Sequence, residues 1–308
     1  MKGAIFVLLD DLIKEYVYEI TVRNYSQRTI KTYKNNSYKF SQFIKNEHNI
    51  SELEEVHPMH IKQYLNSLNS KGRSPLYINN ILKNLRSLFQ YGTDEGYCFN
   101  VTKNVKWLRE EKKLIKTFTD AEVKKMLEHY KYNSYIDARN RCIMAVLFDT
   151  GVRNMELCNL KTMDIKETVI HVKGKGRKER VLPISPYLKK IMLKYERIRD
   201  SYLSDDILHY DNYFLSFRNK PLTIEAIERI VKLASDGADV RKEIRSSPHT
   251  CRHYFAQSQL RHGLDLYSLS RLLGHESFQI TKRYLEGLKD EEVLELGVKT
   301  SPLMNLKV

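Results

Sequence analysis

The sequence has no long hydrophobic run. Its most apolar stretch, Ala4-Ile5-Phe6-Val7-Leu8-Leu9, stops at Asp10-Asp11, well short of the roughly 18 to 20 apolar residues that a spanning helix needs. That stretch is also too short for a signal-peptide core and lacks a small-residue cleavage site, so a cytoplasmic protein is expected. Cysteine is scarce: Cys98, Cys142, Cys158 and Cys251 form no C-x-x-C pair and no regular spacing, which argues against a disulfide framework or a cysteine zinc site. No repeat with a period of roughly 20 to 50 residues is visible, so solenoids are excluded. A G-x-x-x-x-G-K-[ST] phosphate loop is missing, and Gly174-Lys175-Gly176 does not substitute for one, so ATP is not expected. Asp149, Asp164, Asp205 and Asp206 form no evident set to hold the two metals of a metal-dependent nuclease. His249 and His253 stand four apart on an expected helix with Cys251 nearby, but Thr-Cys-Arg between them lacks the glutamate of H-E-x-x-H, so zinc is not expected.

Negative charge is in short supply too. The 308 residues hold 38 Asp and Glu against 52 Lys and Arg, a formal net charge of +14. Such an excess points to a polyanion, nucleic acid or an anionic membrane surface, and the missing hydrophobic span weakens the membrane reading. The excess is evenly shared: residues 1–117 have 19 basic and 12 acidic groups and residues 118–308 have 33 and 26, leaving +7 in each (19 − 12 and 33 − 26). If nucleic acid is the partner, both parts are expected to touch it, gripping a duplex like a clamp. With 42% hydrophobic and 29% charged residues the chain is a folding one, and its length suits two domains.

The first hundred residues read as helices. Leu8, Leu9, Leu12 and Tyr16 recur at helical spacing, as do Ile30, Tyr33, Ser37, Phe40, Phe43 and Ile44. Pro58 and Pro75 suit first turns, Pro75 after an N-cap Ser74, and Ile78, Ile81, Leu82, Leu85, Leu88 and Phe89 make one apolar stripe ending at Asp94-Glu95-Gly96. Four antiparallel helices over residues 1–99 form the expected bundle domain. Residues 100–117 lose periodicity and gather Lys106, Arg109, Lys112, Lys113 and Lys116, which reads as an inter-domain linker or a solvated basic stretch. The second domain, residues 118–308, starts with a T-x-x-E capping box at Thr119 and Glu122 and an apolar helix near residues 136–148. Val169 to Val172 and Arg180 to Ile184 flank a glycine-bearing turn, a hairpin with a basic tip. After Pro186 the pattern is helical again, with a polar loop near residues 235–248. The fold class is therefore mainly α with a small antiparallel hairpin.

Four clusters could carry chemistry: Gly151-Val152-Arg153-Asn154-Met155-Glu156, the Lys175 turn, His249-Thr250-Cys251-Arg252, and Leu272-Leu273-Gly274-His275 with Tyr284 nine residues on. Each alone has a plain explanation. A glycine before a helix is a common loop, an arginine three residues from Glu156 is an ordinary ion pair, and a tyrosine is usually half-buried packing.

Together, in this order and spacing, they resemble the tyrosine recombinase (integrase) family of DNA-cutting and rejoining enzymes. The resemblance covers residues 118–290 and, more loosely, the N-terminal helices, which it identifies as a SAM-like core-binding domain. It implies a catalytic set of Arg153, Lys175, His249, Arg252, His275 and the nucleophile Tyr284, with Glu156 orienting a catalytic histidine; an i, i+3 ion pair between Glu156 and Arg153 is the alternative. Lys173, Arg177, Lys178 and Arg180 surround the turn, where either phosphate contact or a solvated hairpin fits. The resemblance further implies no cofactor, no metal and no ATP. The implied partners are a double-stranded DNA recombination site, an accessory protein, and three further copies in a homo-tetramer on synapsed DNA, the free protein being a monomer or weakly associated. No phosphate-to-tyrosine chemistry is lacking a residue.

Elementary chemistry suits those roles. A phosphorane bears more negative charge than the ground state, and two guanidiniums, Arg153 and Arg252, offer paired donors to it. A tyrosine hydroxyl, with a pKa of about 10, needs a base or a cationic pocket at neutral pH. His249 is the expected proton acceptor, His275 a donor to a non-bridging oxygen, and Lys175 the acid for the leaving 5′-oxygen. The tyrosine ester would keep the energy of the broken phosphodiester for rejoining.

Three departures from relatives stand out. Asn100-Val101 replaces Asn-Pro, no arm-site DNA-binding module is expected ahead of the bundle, and Tyr254 is a rival nucleophile close to the H-x-x-R box. Two other functions compete: a non-catalytic site-specific DNA-binding protein, and a type IB topoisomerase that relaxes DNA alone. The main expectation is a simple two-domain recombinase, similar to Xer-like and transposon integrases, that integrates or excises a mobile element or resolves circular replicons. Beyond Tyr284, acidic Glu286, Asp290, Glu291, Glu292 and Glu295 alternate with apolar Val293, Leu294, Leu296 and Val298. This segment either folds back on its own domain or, by the resemblance, docks on a neighbouring subunit.

Overall fold

The computed structural model describes residues 7–111, 114–174, 179–204, 210–275, 277–285 and 290–299. The chain divides into two compact units, residues 1–112 and 113–308.

The first unit holds four helices, α1 (Leu9–Val22), α2 (Gln27–His48), α3 (Pro58–Ser70) and α4 (Pro75–Asp94). Spacing of apolar residues explains them: α1 buries Leu9, Leu12, Ile13, Tyr16 and Ile20, a single stripe at steps of three and four. The Ser26 hydroxyl accepts from the Thr29 N–H, and the Ser74 hydroxyl does the same for Tyr77 ahead of Pro75, so both helices start where a side chain satisfies an orphan donor. α4 is the central element, with Ile78, Ile81, Leu82, Leu85, Leu88 and Phe89 fully buried. The charged stretch 100–117 is not uniform. Val105 is buried in the first unit's core with Val101 and Leu108 against it, and the Arg86 guanidinium lies 4.1 Å over the Trp107 ring. Ile115 and Phe118 pack into the second unit.

The second unit is built around α6 (Tyr135–Thr150), a helix buried nearly all round and packed on α8 (Pro186–Leu203) and α10 (Pro248–Arg261). Ahead of it, α5 (Asp120–His129) begins with the capping box: the Thr119 N–H donates to Glu122 at 2.7 Å and the Glu122 N–H to the Thr119 hydroxyl at 3.2 Å. α7 (Asn154–Cys158) is followed by β1 (Val169–Lys173) and β2 (Glu179–Pro183), antiparallel with Val169 opposite Pro183 and Lys173 opposite Glu179. The buried face is Ile170, Val172 and Leu182, the alternation a half-buried strand requires. After α8 come α9 (Ile224–Gly237), α10, α11 (Leu266–Leu273), α12 (Phe278–Lys282) and α13 (Asp290–Lys299). Mainly helical with one two-stranded sheet, the architecture is the one the sequence implies. No helix among the described residues is long and apolar enough to cross a membrane.

Candidate active site

Two glycines set the arginine-bearing segments. Gly151 ends α6 in the left-handed region at φ +60°, and a side chain there would collide with the Phe255 ring. The chain turns sharply and delivers Arg153 just before α7. Gly274 ends α11 at φ +62°, where a Cβ would press on the Arg180 side chain, and the turn delivers His275. Arg252, His249 and His253 share the first turns of α10, which starts at Pro248 behind the N-cap Ser247.

Glu156 is the hub of the surrounding network. Its carboxylate receives two parallel bonds from Arg180, both 2.7 Å, one from the Arg153 guanidinium at 2.9 Å and one from the Arg153 N–H at 2.8 Å. Burial alone would raise this carboxyl, but the two guanidiniums together hold it below its ordinary value. No histidine bonds it among the described residues, so the ion-pair alternative describes the geometry, with Arg180 added. The sequence places Arg180 among the hairpin residues free to meet phosphate; instead its guanidinium turns inward, to Glu156 and, through Nε, to the Leu272 carbonyl at 2.8 Å. Lys173 is exposed at the end of β1. Lys175, Arg177 and Lys178 lie outside the described residues.

Backbone carbonyls orient the other guanidiniums. Arg153 donates to the Gly274 carbonyl at 2.7 Å, and Arg252, 3% exposed, donates to the carbonyls of Gly151 at 2.6 Å and Leu273 at 2.5 Å. Among the described residues, three guanidiniums thus gather around the single carboxylate of Glu156, giving an excess of positive charge. Burial and its neighbours Arg153 and Arg180 lower the Arg252 pKa, although it stays cationic at neutral pH.

The imidazoles sit in this field. His275, whose Nδ1 meets the Thr281 hydroxyl at 2.8 Å, is pushed down to about 4, by burial first and then by Arg252, Arg153 and Arg180. His249 is lowered by burial first and then by Arg252, Arg245 and Arg153. Tyr284 stacks at 6.3 Å from His275 and packs among Phe255, Ala256, Leu260, Leu269 and Leu273, 2% exposed. Burial raises its phenol, while Arg252, Arg283 and Arg153 pull it back toward ionisation. An open cavity of about 1010 Å³ borders the site, lined by Arg153, Gly174, Arg180, Gly274, His275 and Ile280.

Five of the six residues implied by the resemblance therefore converge here from four separate segments, the sixth being Lys175. The rival Tyr254 does not join them: its hydroxyl donates to Asp120 at 2.9 Å. His253, weighed from sequence only as a metal ligand, does join: its Nδ1 lies 3.0 Å from the Tyr284 hydroxyl and its ring 4.2 Å from that of His249. No sequence signal singles it out, because its partner is 31 residues away. Among the described residues no group of three or more His, Cys, Asp or Glu is placed to hold a metal.

Residues 116–291 match the Phage integrase family, and residues 12–95 match the N-terminal SAM-like domain of phage integrases. The chain is 31% identical over 283 residues to the tyrosine recombinase XerC of Thermodesulfovibrio yellowstonii, covering 90% of this chain and 91% of that protein. Among solved structures, it superposes on XerH site-specific recombinase bound to a palindromic difH substrate in a post-cleavage complex. The TM-score is 0.75 at 23% identity, over 96% of this chain and 85% of that one. A lambda integrase tetramer bound to a Holliday junction matches with TM-score 0.73 at 19% identity, over 94% of this chain and 79% of that one.

Proposed function

Because the chain belongs to the phage integrase family of tyrosine recombinases, DNA strand-transferring enzymes that work without metal or ATP, we propose that it recombines DNA at a specific site through a 3′-phosphotyrosine intermediate on Tyr284. One observation carries this reading: a buried phenol held within a cluster of guanidiniums and imidazoles that, among the described residues, has more positive than negative charge.

The reaction follows from that arrangement. A scissile phosphate entering the site meets Arg153 and Arg252, which neutralise the charge that grows as the phosphorane forms. His249 and His275, neutral because burial and the arginines depress them, donate N–H groups to non-bridging oxygens. The Tyr284 oxygen attacks phosphorus as its proton passes to a neighbouring imidazole, and the 5′-oxygen leaves with a proton from Lys175. The 5′-hydroxyl of a second strand then reverses the step. Glu156 acts through Arg153 and Arg180 rather than on the phosphate.

Double-stranded DNA is the partner, bound by basic groups of both units. The active assembly is a tetramer: exposed Leu294 and Val298 on α13 offer an apolar contact for a neighbouring copy. The lambda integrase tetramer on a Holliday junction supports that assembly. The biological role is excision or integration of a mobile element, or resolution of circular replicons. A nicked suicide duplex tests the chemistry: covalent adduct from wild type and none from Tyr284→Phe is expected, and binding without adduct would overturn it. Exchange between two sites, rather than relaxation of any supercoiled circle, separates recombinase from topoisomerase.

A further inference from the structure

The Tyr284 hydroxyl has two polar neighbours with unequal capabilities. The Arg252 guanidinium, which favours the ionised phenol, can only donate and so offers the hydroxyl no acceptor. The hydroxyl hydrogen must then point to an acceptor. His253 Nδ1, 3.0 Å away, is within reach to be that acceptor when the imidazole is the neutral tautomer protonated at Nε2.

Resting on the reading of Tyr284 as nucleophile, we propose that His253, outside the six-residue set, is the catalytic base that takes the Tyr284 proton. The electron accounting is simple. As the Tyr284 oxygen forms its bond to phosphorus, its O–H pair stays on oxygen and the proton passes to the Nδ1 lone pair, giving an imidazolium. The phosphorus to O5′ bond breaks with its pair going to O5′, which Lys175 protonates.

Among the described residues, the cationic and imidazole groups around His253 favour the neutral ring in the free protein. Burial, His249, Arg252, Arg283 and His275 push it down to about 3, so the Nδ1 lone pair is present at all ordinary pH values. The phosphorane brings negative charge into the same spot and reverses that field when the imidazolium forms. His249, the acceptor expected from sequence, has its ring beside His253 and is left to the phosphate.

The experiment measures single-turnover adduct formation by the full-length protein on the suicide duplex from pH 6 to 9, for wild type, His253→Ala, His253→Asn and His249→Ala. Loss of a base slows reaction by about 10² to 10⁴-fold. His253→Ala is expected to lose at least about 10²-fold near pH 7 with unchanged DNA affinity. Its rate should climb about tenfold per pH unit as hydroxide replaces the base, narrowing the gap to wild type. Asn at this position keeps a polar atom in place of Nδ1 without basicity, so it preserves packing and shows the same pH climb. A bridging 5′-phosphorothiolate, whose sulfur leaves without an acid, should not relieve the His253→Ala defect. A rate within about threefold of wild type, a defect constant with pH, or relief by the phosphorothiolate would each overturn the proposal. If instead wild type forms no adduct, or Tyr284→Phe still does, the nucleophile reading fails and the base proposal with it.

Discussion

Removing the Glu156 carboxylate should destabilise the second unit by a predictable amount. Its pair with Arg180 is buried, with 6% and 11% of the two side chains exposed, and carries two 2.7 Å bonds. Its pair with Arg153 is different, because 40% of that side chain meets solvent. Breaking a buried pair by deleting one partner costs about 3 to 5 kcal/mol, whereas a solvent-facing pair is worth about 0 to 1 kcal/mol. Glu156→Ala should therefore lose about 3 to 4 kcal/mol, nearly all through the stranded Arg180. Glu156→Gln, which keeps the shape and one acceptor, should lose about 2 kcal/mol. Replacing Glu156 and Arg180 together with methionine should recover much of the loss, since no buried charge then lacks a partner. Scanning calorimetry reads the second unit, and fluorescence of Trp107, the sole tryptophan, reports the first unit as an internal control. A Glu156→Ala loss under about 1 kcal/mol, or a double variant no better than the single ones added, would refute the buried-pair account.

Two further outcomes follow from the same geometry. Gly151→Ala forces a Cβ into the left-handed region and against the Phe255 ring, so a loss of about 2 to 4 kcal/mol is expected in a thermal melt. Cleavage should fall with it, because the Gly151 carbonyl holds Arg252. Glu122 caps α5 and pairs with Arg241, which, with the Thr119 and Arg241 N–H groups, takes its pKa down to about 2. Its folded value lies below the ordinary 4.5, so this stabilisation is complete above that pH and disappears as pH falls toward 2. Glu122→Gln should thus melt lower than wild type at pH 6 and approach it at pH 3, and a constant difference would contradict the assignment.

Local rules reached far along this chain. The Thr119 and Glu122 box, the Ser74-Pro75 start and the α4 stripe were legible because each depends on residues within one or two helical turns. The hairpin was legible from its alternation. Less so were contacts closed by tertiary folding: Arg180 reads as a hairpin cation until α11 brings the Leu272 carbonyl and α7 brings Glu156 to it, 92 and 24 residues away. His253 reads as the fourth residue after His249, and only the packing of Tyr284 against α10 reveals its partner. The stretch 100–117 reads as a linker or a solvated basic stretch because its charges outnumber its apolar residues, yet Val105 is buried.

The central claim is that Tyr284 becomes joined to a DNA 3′-phosphate. Trapping the wild-type adduct on a suicide duplex, digesting protein and DNA, and sequencing the nucleotide-bearing peptide by mass spectrometry tests it directly. The account predicts the nucleotide on Tyr284, linked through its 3′-phosphate. A nucleotide on Tyr254 or another residue, or a 5′-phosphate linkage, would contradict it.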